Sequence, residues 1–243
     1  MSGGWHLRRR AAINALNAIV LSRLNGSVVA SGFPKSGTTF LSHALEAMTG
    51  LRYLEGSREL AIRASVIHCH FRAVPAKAIF SYRPLTQVVP SYVAHLLAYD
   101  RQDVLERLRN NAETGDDRAL LEQLAQRILS GHRRLPSPAN YYIELAARGA
   151  RILDLPRLTA SNTDEEARLA RWLGLDRDAV RSGIAQARAL SEDRRTEGHS
   201  FYNRPSERIT SLLGSNLSLA AEIGTQAEQA ASALRRTSGS RHD

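Results

Sequence analysis

Short runs of small and β-branched apolar residues alternate along this chain with longer segments whose apolar residues recur every three or four positions. Residues 27–33 (SVVASGF), 65–71 (SVIHCHF), 76–83 (AKAIFSYR) and 151–155 (RILDL) have the length and side chains of buried strands. Residues 41–48 predict a helix that ends near Gly50. Residues 86–99 set Val88, Val89, Tyr92, Leu96 and Tyr99 at helical spacing. The charged, leucine-rich stretch 103–129 predicts one or two helices, and 139–147 another after Pro136-Ser137-Pro138. Residues 165–173 and 176–190 follow as helices. Residues 191–208 read as a polar loop, 217–236 as a weak terminal helix and 237–243 as a frayed end.

Strands that alternate with helices predict an α/β fold, a three-layer sandwich around a mainly parallel central sheet. The expected organisation is an amphipathic helix over 1–24, an α/β domain over 25–215 and a C-terminal helix and tail over 216–243. Within the domain, about 100–149 is read as a helical insertion. The helix at the start is marked by Ile13, Leu16, Ile19, Val20 and Leu24. It either packs on the domain or makes a peripheral membrane contact. Asn14 and Asn17 interrupt its apolar run, and no small-residue cleavage site follows, which argues against a signal sequence.

Composition narrows the class. With 43% hydrophobic residues the chain is richer in core-forming side chains than a disordered protein. Its single cysteine, Cys69, excludes an intramolecular disulfide scaffold. No apolar run approaches the roughly 20 residues of a membrane span. A net charge of +9 favours anionic ligands. Lys35 and Lys77 are the only lysines among the 33 basic residues. The arginines are scattered among acids, so no nucleic-acid stripe is expected. This arginine-heavy usage suggests a G+C-rich, bacterial genome, and a cytoplasmic location is expected.

The chemistry concentrates after the first strand. Gly32-Phe33-Pro34-Lys35-Ser36-Gly37-Thr38-Thr39 joins a strand to a helix, the setting in which backbone N–H groups and a helix N-terminus hold a phosphate. Gly37 permits close approach, Thr38 and Thr39 add hydroxyls and Lys35 adds a full charge. The spacing departs from the triphosphate loop G-x-x-x-x-G-K-[ST]: Thr38 stands where that motif has its lysine, and the lysine lies inside the loop. That placement suits a ligand with a single 5′-phosphate group.

Residues 33–40 (FPKSGTTF) resemble the 5′-phosphosulfate loop of the sulfotransferases that use 3′-phosphoadenosine 5′-phosphosulfate (PAPS). Phe40 stands where the best-known members have Trp and keeps an aromatic face for adenine. The resemblance implies that Lys35, Ser36, Gly37, Thr38 and Thr39 hold the 5′ end. It implies that Arg83 and, eight residues on, Ser91 hold the 3′-phosphate. Here Arg83-Pro84-Leu85 replaces the family's Arg-Asp/Asn-Pro, and Pro90 is expected in the first turn of its helix. In the Ile67-His68-Cys69-His70-Phe71 strand, His70 matches the family's catalytic base and His68 falls where Lys is frequent. Two histidines on one strand face also raise zinc, but no Cys or His pair with ligand spacing completes a site, so no metal is expected. Trp172-Leu173-Gly174 matches the family's Phe-Leu-Gly, and Arg204 lies in the region of its closing basic loop. The family's adenine-contacting Tyr is absent.

The expected activity is therefore PAPS-dependent sulfuryl transfer to a hydroxyl of a carbohydrate or small metabolite. Residues 51–64 and 92–140 would supply acceptor walls. The alternatives are a nucleotide-dependent small-molecule kinase and a catalytically degenerate nucleotide-binding protein.

Overall fold

The computed structural model describes residues 9, 12–55, 59–70, 77–132, 135–194 and 200–239, with the backbone alone at 55, 193–194, 200–205 and 237–239. In chain order the elements are β1 (Val28–Gly32), α1 (Thr38–Thr49), β2 (Arg52–Glu55), β3 (Ser65–His68), β4 (Ala78–Tyr82), α2 (Leu85–Asp100), α3 (Gln102–Arg109), α4 (Gly115–Leu129), α5 (Pro138–Ala147), β5 (Arg151–Asp154), α6 (Leu155–Thr159), α7 (Thr163–Leu173), α8 (Arg177–Arg194), α9 (Ser200–Ser215) and α10 (Leu217–Gly239). A π-helical turn over Leu16–Leu21, continued by Ser22–Leu24, precedes β1.

The chain forms two compact units, one from 1–83 with 148–192 and the other from 84–147 with 193–243. The helical segment thus begins at 84 rather than about 100. It joins the C-terminal helices instead of acting as an insertion within one domain.

The first unit holds a five-stranded, all-parallel sheet in the order β2-β3-β1-β4-β5, so the α/β expectation is met. β1 lies at the centre, paired with β3 and β4. Sequence order runs outward from β1 in opposite senses on its two sides, and in such sheets ligands bind beyond the carboxyl ends of the strands where that order reverses. On one face Val28, Ala30, Val66, Ile79 and Leu153 pack with Leu41, Leu45 and Met48 of α1 and with Leu155, Leu158, Leu169, Val180 and Ile184 of α6–α8. The opposite-facing Val29, Ile67, Phe80 and Ile152 are buried too. Both faces are covered, as parallel strands require. Gly174, in the left-handed region at φ 69°, ends α7.

Two elements of this unit escaped the sequence pattern. β2 has four residues with charge at both ends, Arg52 and Glu55, and sits at the sheet edge. α6 starts at Leu155, where the strand reading ran on; Asp154 caps it by accepting from the Arg157 N–H. The N-terminal helix also differs. Its buried residues are Asn17, Ala18 and Ser22, whereas Leu16, Val20 and Leu24 are exposed.

The second unit is helical. Pro90 lies inside α2, one turn beyond the expected first-turn position, and offers no N–H to the Thr86 carbonyl. Burial of Leu85, Val88, Val89, Tyr92 and Val93 around it offsets the missing bond. Residues 200–208, read as polar loop, belong to α9, because Ile209, Leu212 and Leu213 extend their helical period with buried apolar positions. The stretch 103–129 resolves into α3 and α4, separated by a capping box between Thr114 and Asp117.

Asp117 fastens this unit. Its buried carboxylate accepts from Arg107 Nη2 at 2.7 Å and Nε at 2.8 Å and from the Thr114 N–H at 2.9 Å. Hydrogen bonding from Arg107 is the chief reason its pKa lies below the usual carboxylate range. A lowered folded-state pKa contributes stability above the unfolded value near ~3.9 and loses it as pH falls further. Asp117→Ala should cost about 2 kcal/mol in urea unfolding at neutral pH. The gap to wild type should narrow below about pH 4.

Candidate anion-binding site at the end of the first strand

The site grows from two residues that the sheet register sets side by side, Gly32 on β1 and Ser81 on β4. A Cβ on Gly32 would lie 2.4 Å from both Ser36 Oγ and Ser81 Oγ. Glycine therefore leaves the space in which these hydroxyls meet. Ser81 Oγ donates to the Ser31 carbonyl at 3.2 Å. With its one proton so placed, it accepts from Ser36 Oγ at 2.8 Å and Thr38 Oγ1 at 3.2 Å. All three side chains are buried, so the hydroxyls of Ser36 and Thr38 shape the bend from below.

The backbone of the bend follows. The Ser36 N–H donates to the Phe33 carbonyl at 3.0 Å, so that amide serves the turn. Lys35 takes a left-handed φ of 67° and Gly37 one of 92°. At Gly37 a Cβ would also strike Leu155 Cδ1 at 2.4 Å. Arg83 Nη1 donates to the Lys35 carbonyl at 3.3 Å and holds the non-glycine residue in this uncommon conformation.

α1 begins at Thr38. Among the described residues, the amides of Gly37, Thr38, Thr39 and Phe40 donate to no backbone carbonyl outside their own helix, as expected of a first turn. These donors and the positive end of the helix converge where an anion would sit. Burial lowers the pKa of Lys35, a mark of an ammonium partly stripped of water. Thr39 is exposed at the helix start. Phe40 is half-buried and packs against the core, so its ring supports α1.

His70 meets the same loop. Its Nδ1 lies 3.0 Å from the Gly32 carbonyl oxygen. A carbonyl only accepts, so Nδ1 carries the hydrogen and the neutral ring keeps its lone pair on Nε2. Crowding of the ring lowers its pKa most; the Gly32 carbonyl opposes this, and the Lys35 ammonium adds to the lowering. The residue keeps solvent access even so.

His68 ends β3, with its ring 5.2 Å from that of His70 in an edge-to-face arrangement. Its Nδ1 is 3.0 Å from Tyr53 Oη on β2. Burial, then His70, His43 and Lys35, push its pKa down to about 3. Beyond it, His43 and Tyr53 rings are 4.9 Å apart, and the Tyr53 N–H donates to Glu46 Oε1 at 2.8 Å. Among the described residues, no group of three or more His, Cys, Asp and Glu side chains gathers as a metal cluster.

Lys35, Ser36, Gly37, Thr38, Thr39, His70 and Arg83 thus lie together at the carboxyl ends of β1, β3 and β4. Ser91 is half-buried on α2, in the other unit. Arg204 falls within α9 of that unit, and its side chain lies outside the described residues. Sequence reasoning missed Ser81, Tyr53 and Leu155 as shapers of the site. The one available signal was a serine within the apolar strand AIFSY. No protein-family model, curated protein or solved structure matches this chain.

The two imidazoles should separate in a ¹⁵N-detected titration. His68 should stay neutral across about pH 5–8. His70 should titrate below the ordinary value as the Nδ1–H tautomer, and Lys35→Met should raise its midpoint. A His70 midpoint unmoved by that change would remove the Lys35 field from the site.

Proposed function

We propose that this chain moves a sulfuryl group from PAPS to a hydroxyl of a carbohydrate or small-metabolite acceptor. The observation that carries the reading is one loop with two products: first-turn amides beside Lys35, and an imidazole whose free lone pair is set by the carbonyl of Gly32. The resemblance of residues 33–40 to the sulfotransferase phosphosulfate loop supplies the donor.

In this reading the 5′-phosphosulfate lies on the amides of Gly37–Phe40. The acceptor O–H gives its proton to His70 Nε2 as its oxygen attacks sulfur. The bond from sulfur to the 5′-phosphate oxygen breaks on the opposite side, and the electron pair leaves with that phosphate. Lys35 and the amides stabilise the charge that grows there, an effect strengthened where water is partly excluded. The amide of Ser36 stays with Phe33, so the donor set begins one residue later, at Gly37. Arg83 links the loop to the 3′-phosphate in this scheme.

His70→Ala should lower turnover by ~10²–10⁴-fold while 3′-phosphoadenosine 5′-phosphate still raises the melting temperature. Lys35→Ala should reduce turnover more than nucleotide affinity, measured by single-turnover kinetics beside calorimetry. The base must be neutral, so the rate should rise with pH through a midpoint below ~6.5 and then stay level. The nucleotide is the direct discriminator. Stabilisation by magnesium ATP but not by 3′-phosphoadenosine 5′-phosphate would turn the assignment towards a kinase, and stabilisation by neither would end both readings.

A further inference from the structure

The helix that precedes β1 is mounted with its polar side inward. Asn17 is fully buried: its Nδ2 donates to the Glu59 carbonyl at 2.7 Å, and its Oδ1 accepts the Ala61 N–H at 2.8 Å. One helix-length on, Asn25 Nδ2 donates to the Arg63 carbonyl at 3.2 Å and also meets the Ala61 carbonyl. Ser22 turns its hydroxyl to the Ala18 carbonyl at 2.6 Å. Backbone hydrogen bonding of this kind tethers the helix to the 59–63 segment without using its large apolar side chains.

Those side chains face water. Leu16, Val20 and Leu24 are spaced by four, so they form a stripe along one side of the helix, and Leu24 is 77% exposed. In the tethered segment Ala61 is buried, while its neighbours Leu60 and Ile62 are exposed, Ile62 by 79%. Five exposed apolar residues thus lie on two segments that the hydrogen bonds of Asn17 and Asn25 join, and such a concentration, unlike single scattered residues, marks an interaction patch. Two exposed arginines belong to the same segments, Arg23 and Arg63. Neither has an acidic partner among the described residues. The one acid on the segment, Glu59, pairs with Arg52 at 2.9 Å.

We propose that this patch seats the protein on an anionic membrane surface, with Leu16, Val20, Leu24, Leu60 and Ile62 entering the interfacial layer and Arg23 and Arg63 meeting lipid phosphates and carboxylates. The charge decides the occupant. A second copy of the chain would bring the same cations against one another, and the net charge of +9 adds long-range repulsion between copies. An anionic bilayer is complementary to both the charge and the apolar stripe. The helix is short and no helix among the described residues is long and apolar enough to cross a membrane, so the contact is peripheral.

The test is co-sedimentation of the full chain with vesicles of phosphatidylcholine, with and without roughly one-third phosphatidylserine. Binding should require the anionic lipid and fall as salt shortens the reach of the charges. Leu24→Glu and Ile62→Glu should each weaken it about tenfold. Arg23→Gln with Arg63→Gln together should weaken it roughly 30-fold, given about one kcal/mol for each cation at such a surface. Because all four side chains are exposed, the melting temperature of each variant should match wild type. Equal sedimentation with neutral and anionic vesicles, sedimentation with neither, or unchanged binding by the variants would overturn the proposal. So would a dimer in analytical ultracentrifugation that Leu24→Glu dissolves, which would assign the patch to a second copy.

Discussion

Ser81 Oγ is the point on which the site rests. It has one proton and two lone pairs, and the surrounding chain uses all three. The proton goes to the Ser31 carbonyl, and the hydroxyls of Ser36 and Thr38 fill the acceptor positions. That arrangement ties the last turn of β1, the bend and the first residue of α1 to β4 through one oxygen. It needs an absent side chain at the register partner, because a Cβ on Gly32 would occupy the same space. A buried hydroxyl cluster with every group satisfied is rigid, whereas the same cluster with one member missing leaves polar atoms in a dry place. The loop's geometry is therefore held by the sheet and not by its own short sequence.

From this support the electrostatics follow. Ser36 and Thr38 are anchored on Ser81, the first-turn amides of α1 have no backbone acceptor outside their helix among the described residues, and Lys35 precedes them in the bend. A left-handed φ at a lysine costs about 1–3 kcal/mol unless the surroundings fix it. Arg83 does so through the Lys35 carbonyl. The ammonium of Lys35 is itself partly desolvated, which disfavours its charged form. Both neighbouring imidazoles respond in the same sense: His68 and His70 are held neutral, and Lys35 contributes to each. The local field is thus positive without the histidines carrying charge, which keeps a lone pair on His70 at neutral pH.

Much of the framework was legible because period and punctuation agree there. β1, the bend and α1 are announced by a β-branched run, by Pro34 and Gly37, and by a helical pattern, and all three levels point one way. β2 was not legible because four residues with charged ends carry no apolar alternation, and only pairing with β3 makes them a strand. α9 was hidden because 203–208 is polar and interrupted by Pro205; among its described side chains the first buried one is Ile209. Phe40 matched a motif position, yet packing against the core decides its role, and that is a tertiary fact. The N-terminal helix inverts the usual rule. Periodicity identifies a stripe but not its direction, and here the backbone hydrogen bonds of Asn17 outweighed the burial of Leu16, Val20 and Leu24.

The same geometry bears on why a lysine inside the bend is not equivalent to one at the helix start. In a triphosphate loop the lysine follows the second glycine, where Thr38 stands here. Thr38 is buried, 3% exposed, with its hydroxyl directed at Ser81 and not at the anion position. A long cationic side chain at 38 would have to displace the Ser36–Ser81–Thr38 cluster or leave along another path, and either change unseats the bend. Lys35 instead belongs to the bend itself, where its left-handed backbone is tied through its carbonyl to Arg83. A lysine inside the bend and a hydroxyl fixed to the sheet at 38 therefore set this loop apart from the triphosphate pattern, and the difference rests on Gly32 and Ser81 beneath it.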